Sequence, residues 1–420
     1  MVDKLLHTPE GVRDIYNSEC ETKMNLERKL KSKMYRYGFR EIQTPTFEFY
    51  DIFSKERGTV PSKDMYKFFD REGNTLALRP DITPSIARCV AKYYKEETMP
   101  IRLCYCGSTF LNNNSYQGKL KESTQLGAEL INDSTVEADA EMIVLTVECL
   151  KLSGLEEFQV EIGQADFFKG LVEEAALKED EVEQLRVLIE NKNLFGVEEL
   201  ICEKQIEEPL KKVFLQLPEL FGSIEVISSI KSNLKNERAI KAIDRLEQLF
   251  ELLKAYGVET YISFDLGMLS KYNYYTGIIF RAYTFGTGDA VITGGRYDTL
   301  VSQFGKEAPA IGMAVLVDPL LTALSRQNLI KSIEPTNTLI VYKRELRNTA
   351  IALTQHFRSE DMNVELILQD SEVDVTTYVD YAKRSLIGGI LYLAVPNEVT
   401  VINALDGSMT NAKISDLLES

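Results

Sequence analysis

The sequence predicts an α+β protein: an antiparallel sheet flanked by helices, a helical insertion within it, and a small α/β domain at the C-terminal end. Three observations carry this. The runs PIRLCYCGSTF (100–110) and ESTQLGAELI (122–131) flank a polar turn and read as an antiparallel hairpin. Residues 165–256 are almost wholly helical in pattern before strands return. Beyond residue 337 strands alternate with helices, the mark of a mostly parallel sheet.

In chain order, PEGVRD (9–14) is a turn-rich entry, and 18–37 is an amphipathic helix with Met24, Leu26, Leu30, Met34 and Tyr35 at helical spacing. Residues 37–53 read as one strand, and Pro45 suits a sheet edge or an interface. NTLALRPDITPSIARCVAKYY (74–94) changes from strand to helix at Arg79-Pro80-Asp81. After the hairpin come a helix at 136–153, a strand at 157–163 and the helical insertion. TYISFDLGML, YYTGIIFRAYTF and DAVITGGRYD are strands, the last two joined by the glycine-rich turn GTGD (286–289). Residues 311–325 are a strand running into a helix, with Pro319 near its first turn. A boundary near 326–337 separates domains expected at 1–328 and 338–420.

Of 420 residues, 44% are apolar and 27% charged, the balance of a globular protein. No stretch approaches the roughly 18–20 apolar residues of a membrane span, and the opening lacks a signal-like apolar run, so a soluble, cytoplasmic chain is expected. The six cysteines lack CxxC spacing and only His7 and His356 accompany them, so free thiols and no metal site are expected. A net charge of −16 weighs against nucleic acid as partner, because phosphate backbones are held by a basic face.

Arg-Pro at a strand end is often turn punctuation, but the hairpin that follows LRPDITPSIAR would bring Tyr105, Gln125 and Glu129 near Asp81. Gln125, Gly127 and Glu129 share one strand face by the period of two, and the glycine leaves room for a ligand. Polar groups on an inner sheet face are costly unless satisfied. Two carboxylates there suit an ammonium or imidazole group. Tyr274 and Tyr275 face opposite ways on a regular strand, so at most one of them is expected in a pocket unless a bulge intervenes.

In this order and spacing, the motifs resemble the histidyl-tRNA synthetase superfamily of class II synthetases over nearly the whole chain. Residues 37–53 are similar to its motif 1, and 76–131 to motif 2 with the strand after it. YYTGIIF is similar to the second histidine motif and TGGRYD to the glycine-rich floor. The tail resembles that family's anticodon-binding domain in element order. The resemblance implies that Asp81, Thr83 and Gln125 hold a ligand ammonium, that Glu129 and one of Tyr274 and Tyr275 hold an imidazole, and that Tyr105 shapes the wall.

The departures fall where that family grips ATP. Leu111 follows Phe110 in place of the motif 2 arginine, Ser270 stands at the arginine of the second histidine motif, and Pro319 replaces the motif 3 arginine. One lost oxyanion donor costs about 10²–10³ in rate, and an arginine on phosphoryl charge is worth about 10³–10⁵. No catalytic residues and no cofactor are therefore expected. Lys271 offers a point charge for the ligand carboxylate.

A kept histidine pocket beside a lost ATP site resembles the ATP phosphoribosyltransferase regulatory subunits. That family implies a non-catalytic chain that homodimerises through its class II-like domain. It further implies assembly with a short-form catalytic subunit into a hetero-octamer, and inhibition relayed from histidine in the first step of histidine biosynthesis. Many such subunits are shorter, so the region after 337 is expected to be an extension. Eight basic against thirteen acidic residues over 331–420 give −5, so no tRNA is expected. The alternative is a histidyl-tRNA synthetase.

Overall fold

The computed structural model describes residues 6–54, 60–113, 120–202, 204, 206–269, 275–331, 337–370 and 372–418. Cα packing divides the chain into two units: Met1–Asp14 with Lys23–Leu329, and Ile15–Thr22 with Ile330–Ser420.

The first strands and helices are α1 (Asn17–Arg36), β1 (Arg40–Glu41), β2 (Phe47–Phe49), β3 (Lys67–Phe69), β4 (Thr75–Leu78), α2 (Thr83–Tyr93), β5 (Ile101–Phe110), β6 (Glu122–Ile131), α3 (Val136–Ser153) and β7 (Phe158–Gln164). The insertion follows as α4 (Ala165–Glu174), α5 (Glu179–Glu190), α6 (Leu194–Cys202), α7 (Glu208–Gln216), β8 (Phe221–Gly222), α8 (Ile224–Ser229) and α9 (Glu237–Ala255). Strands β9 (Ile262–Asp265), β10 (Ile278–Thr284), β11 (Ile292–Arg296) and β12 (Ala310–Leu316) then lead into α10 (Val317–Arg326).

Nine strands form one sheet in the order β1-β5-β6-β12-β11-β10-β7-β9-β8. Only β1–β5 and β7–β9 pair in parallel. Alternation decides its two faces. Leu126, Ala128 and Leu130 of β6 and Met313 and Val315 of β12 enter the main core, where they meet α1 through Leu26, Leu30 and Met34 and α3 through Leu145 and Val147. The insertion helices bury Ile189, Phe214, Ile243 and Leu246 in that same core, so the insertion shares the sheet's core. Helix α3 is stopped sharply: Thr135 caps its first turn and Gly154, at φ 102°, ends it in a left-handed conformation.

The single strand expected over 37–53 is instead broken. β1 joins the large sheet, β2 pairs with β4 in a three-stranded sheet, and a 3₁₀ turn covers Tyr50–Phe53. Pro45 lies at the break, where the chain needs no ladder donor.

The second unit contains β13 (Asn337–Tyr342), α11 (Arg347–Ser359), β14 (Val364–Leu368), α12 (Val375–Arg384), β15 (Ile387–Val395), β16 (Glu398–Asn403), β17 (Met409–Lys413) and α13 (Ile414–Leu418). Its sheet order is β14-β13-β15-β16-β17. Only the two ladders of β13 are parallel; β15–β16 and β16–β17 are antiparallel, so the sheet is less parallel than its alternation implies. Strand β17 was not legible in the sequence because Met-Thr-Asn-Ala-Lys has neither a β-branched run nor an apolar face. It is an edge strand, reached through a turn with Gly407 at φ 75°. No described helix is long and apolar enough to cross a membrane.

Candidate functional site

The sheet face opposite the main core bounds a cavity of about 790 Å³. Its floor is low because Gly295, Gly312 and Ala314 lie on that face. Gly312 makes room for Glu129: a Cβ there would stand 1.7 Å from Oε2, so the carboxyl would have to move. Gly127 plays the same part for Tyr105, whose hydroxyl would lie 2.5 Å from an added Cβ.

At one end the cavity is a polar cradle. Arg79 turns away from it and ties the strand end down, donating to the carbonyls of Ser108 (2.8 Å) and Thr44 (2.9 Å). This holds Asp81 at the start of α2, where its Oδ1 accepts from the backbone N–H of Ile82 (2.7 Å) and from Gln125 Nε2 (3.3 Å). Thr83 Oγ1 donates to Glu129 Oε1 at 2.8 Å, and the Tyr297 hydroxyl donates to Glu129 Oε2. Glu129 is only 1% exposed. Burial pushes its carboxyl up to about 8, with Asp81 adding to the rise and the bonds from Tyr297 and Thr83 opposing it. Two buried polar atoms, Gln125 Oε1 and the Tyr105 hydroxyl, have no hydrogen-bond partner among the described residues. Unsatisfied groups of this kind cost about 1–3 kcal/mol each unless a ligand or water meets them.

Asp81, Thr83, Gln125, Glu129 and Tyr275 thus line one cavity, with Tyr105 packed on its Gly127 floor. Tyr274, Ser270 and Lys271 lie outside the described residues. The Tyr275 ring lies against Gly295, where an added Cβ would be 2.6 Å from a ring carbon. Its carbonyl accepts from Lys169 Nζ at 3.0 Å, and the neighbouring Gly277 carbonyl accepts from the Ala165 N–H at 2.9 Å. The first helix of the insertion therefore holds this wall.

Sequence reasoning missed Tyr297. The signal was present in TGGRYD: Gly295 and Tyr297 share the cavity face by the period of two, and Arg296 points the other way. Arg296 Nε and Nη2 reach Asp139 Oδ1 at 2.8 and 2.6 Å, and Arg245 of α9 completes the buried cluster.

At the far end, Leu111 and Pro319 line the same cavity with apolar surface. Arg281 and Arg326 line it too, beside Asp289 and Asp318. Arg326 is committed to the Gly286 carbonyl at 2.7 Å, and Asp318 accepts from the Thr124 N–H at 2.7 Å.

The histidyl-tRNA synthetase family model matches residues 11–320. An ATP phosphoribosyltransferase regulatory subunit from Acetivibrio thermocellus is 41% identical over 420 residues, covering 100% of both chains. The chain belongs to the ATP phosphoribosyltransferase regulatory subunit family. A second member, from Ruminiclostridium cellulolyticum, is 38% identical over 99% of each chain. A Bacillus halodurans structure described as "ATP phosphoribosyltransferase regulatory subunit/histidyl-tRNA synthetase" superposes with a TM-score of 0.82 at 31% identity, over 93% of this chain and 98% of that one. A Nostoc histidyl-tRNA synthetase shares the fold at a TM-score of 0.80 and 19% identity, over 99% and 98% of the two chains.

The class II synthetase-like fold expected from the motifs is thereby established, and the relatives are named as regulatory subunits. Family relatives match it from end to end, so the region after 337 is shared with them and is not an addition peculiar to this chain.

Proposed function

We propose that this chain is the regulatory subunit that a short-form ATP phosphoribosyltransferase catalytic subunit needs for activity, and that it binds histidine to relay feedback inhibition of the first step of histidine biosynthesis in the cytoplasm. The observation that carries the reading is the buried cradle: two carboxylates, Asp81 and Glu129, beside the unsatisfied Gln125 Oε1 and Tyr105 hydroxyl. An α-ammonium placed between Asp81 and Gln125 and an imidazole N–H at Glu129 would satisfy the two carboxylates and Gln125 Oε1. Tyr275 and Tyr297 would close the site around the ring, with Tyr274 the other tyrosine of the sequence motif. Apolar Leu111 and Pro319 support the loss of adenylation, because carbon stabilises no phosphoryl charge. Homodimerisation, a hetero-octamer and the absence of a tRNA partner are carried over from the family resemblance and the acidic tail.

The second reading is a histidyl-tRNA synthetase, favoured by the two arginines on the far wall of the cavity. Calorimetry on the purified chain is expected to give a histidine-dependent heat, and histidine-dependent ATP–pyrophosphate exchange is expected to be absent. Exchange at ordinary enzyme rates establishes the synthetase. No heat with histidine removes the ligand assignment. Mass spectrometry of co-purified proteins is expected to find a phosphoribosyltransferase chain.

A further inference from the structure

We propose that Arg281 receives the carboxylate of the amino acid held in the cradle, an inference that rests on the histidine-binding reading above. Asp81 and Glu129 account for the cationic groups of such a ligand, whereas Leu111 offers nothing to its anionic end.

The register places Arg281 on the cavity face. Glu129 pairs with Gly312, Gly312 with Gly295 and Gly295 with Ile279, and Arg281 is two residues farther along the strand of Ile279. The floor between them is Gly312, Gly295, Ala314 and Thr293, with the Tyr275 ring over Gly295. Three strand spacings and one two-residue step separate the backbones of Glu129 and Arg281 by about 16 Å. Both side chains rise from this one face and line the same cavity.

Among the described residues the Arg281 guanidinium makes no hydrogen bond or ion pair, unlike that of Arg326 on the same wall, which holds the Gly286 carbonyl. Its charge is felt by Glu161, its partner on β7, and by Asp265. Burial pushes both of those carboxyls up and Arg281 draws them back, yet neither closes to a salt bridge. A half-buried guanidinium facing an open cavity is a receptor for a planar oxyanion.

The test compares L-histidine with histamine, which keeps the ring and the amine and lacks the carboxylate. Calorimetry on the full chain should show histidine preferred. In Arg281→Gln, histidine affinity should fall about 10- to 100-fold, the worth of hydrogen bonds to a charged group. Histamine affinity should not change, and Arg281→Lys should recover part of the loss. Unchanged histidine binding in Arg281→Gln overturns the proposal, and so does a parallel loss of both ligands, which marks a structural role. Loss of the preference in Lys271→Ala and not in Arg281→Gln gives the carboxylate to Lys271. Loss of AMP binding alone in Arg281→Gln gives the guanidinium to a phosphate and overturns the proposal as well. A wild-type chain that binds neither amine sinks the histidine reading and this inference with it, a result distinct from all the others.

Discussion

Glu129 is the residue at which burial, hydrogen bonding and charge meet. Desolvation dominates, so its carboxyl holds a proton in the folded chain at pH values where an exposed glutamate has lost it. A carboxyl whose value is raised on folding stabilises the fold at acid pH and loses that contribution as pH rises. For Glu129 the window runs from about 4.5 up to about 8. Without ligand, stability should therefore decline across this window more steeply in the wild type than in Glu129→Gln. Urea denaturation of both chains at a series of pH values measures the difference. Equal slopes would mean that Glu129 is ionised in the folded state. The same residue shows how far the sequence could be read. Its strand face and its neighbours Asp81 and Gln125 followed from the period of two. Tyr297 and Gly312 did not, because their partnership with Glu129 spans 168 residues for the tyrosine bond and depends on strand order.

Helix α4 is the element that links the insertion to the cavity. Its Lys169 donates to the Tyr275 carbonyl, and its Asp166 pairs with Arg238 of α9 at 2.7 Å. Burial draws the Lys169 ammonium down, Asp166 opposes this, and the remaining charge is directed at a backbone oxygen. Lys169→Met removes that donor and keeps most of the apolar stem. Backbone amides of 275–277 should then exchange with deuterium faster, by about tenfold if the bond is worth the usual 1–1.5 kcal/mol. Hydrogen-exchange mass spectrometry without ligand reads this directly. Unaltered exchange at 275–277 would show that the Ala165–Gly277 bond alone fixes the wall. At this scale the sequence was legible for long amphipathic helices such as α1, α3 and α9. It failed where one apparent strand was shared between two sheets at Pro45, a choice made by partners and not by local pattern.

For the whole molecule, every described residue that lines the cavity falls between Val60 and Arg326, within the first unit. The second unit has separate cores, one around Ile340, Leu353 and Leu393 and one around Leu339, Tyr378 and Ile390. A chain ending at residue 329 should therefore bind histidine with an affinity within about twofold of the full chain, the additivity expected of independent sites. Calorimetry on the shortened chain, checked for folding by circular dichroism, measures it. A loss well beyond twofold would show that the C-terminal unit supports the site.

The sequence by itself determined the fold class, the helical insertion, the alternating tail, and the identities of the cradle carboxylates. These are written in local periodicity and in motif order, which a single chain carries without reference to its partners. Only the tertiary structure decided that Arg79 and Arg296 serve the scaffold, that Tyr297 serves the cradle, and that Arg281 faces the same cavity as Glu129. Each of those assignments depends on which strands lie side by side, a matter of long-range pairing that no window of neighbouring residues records.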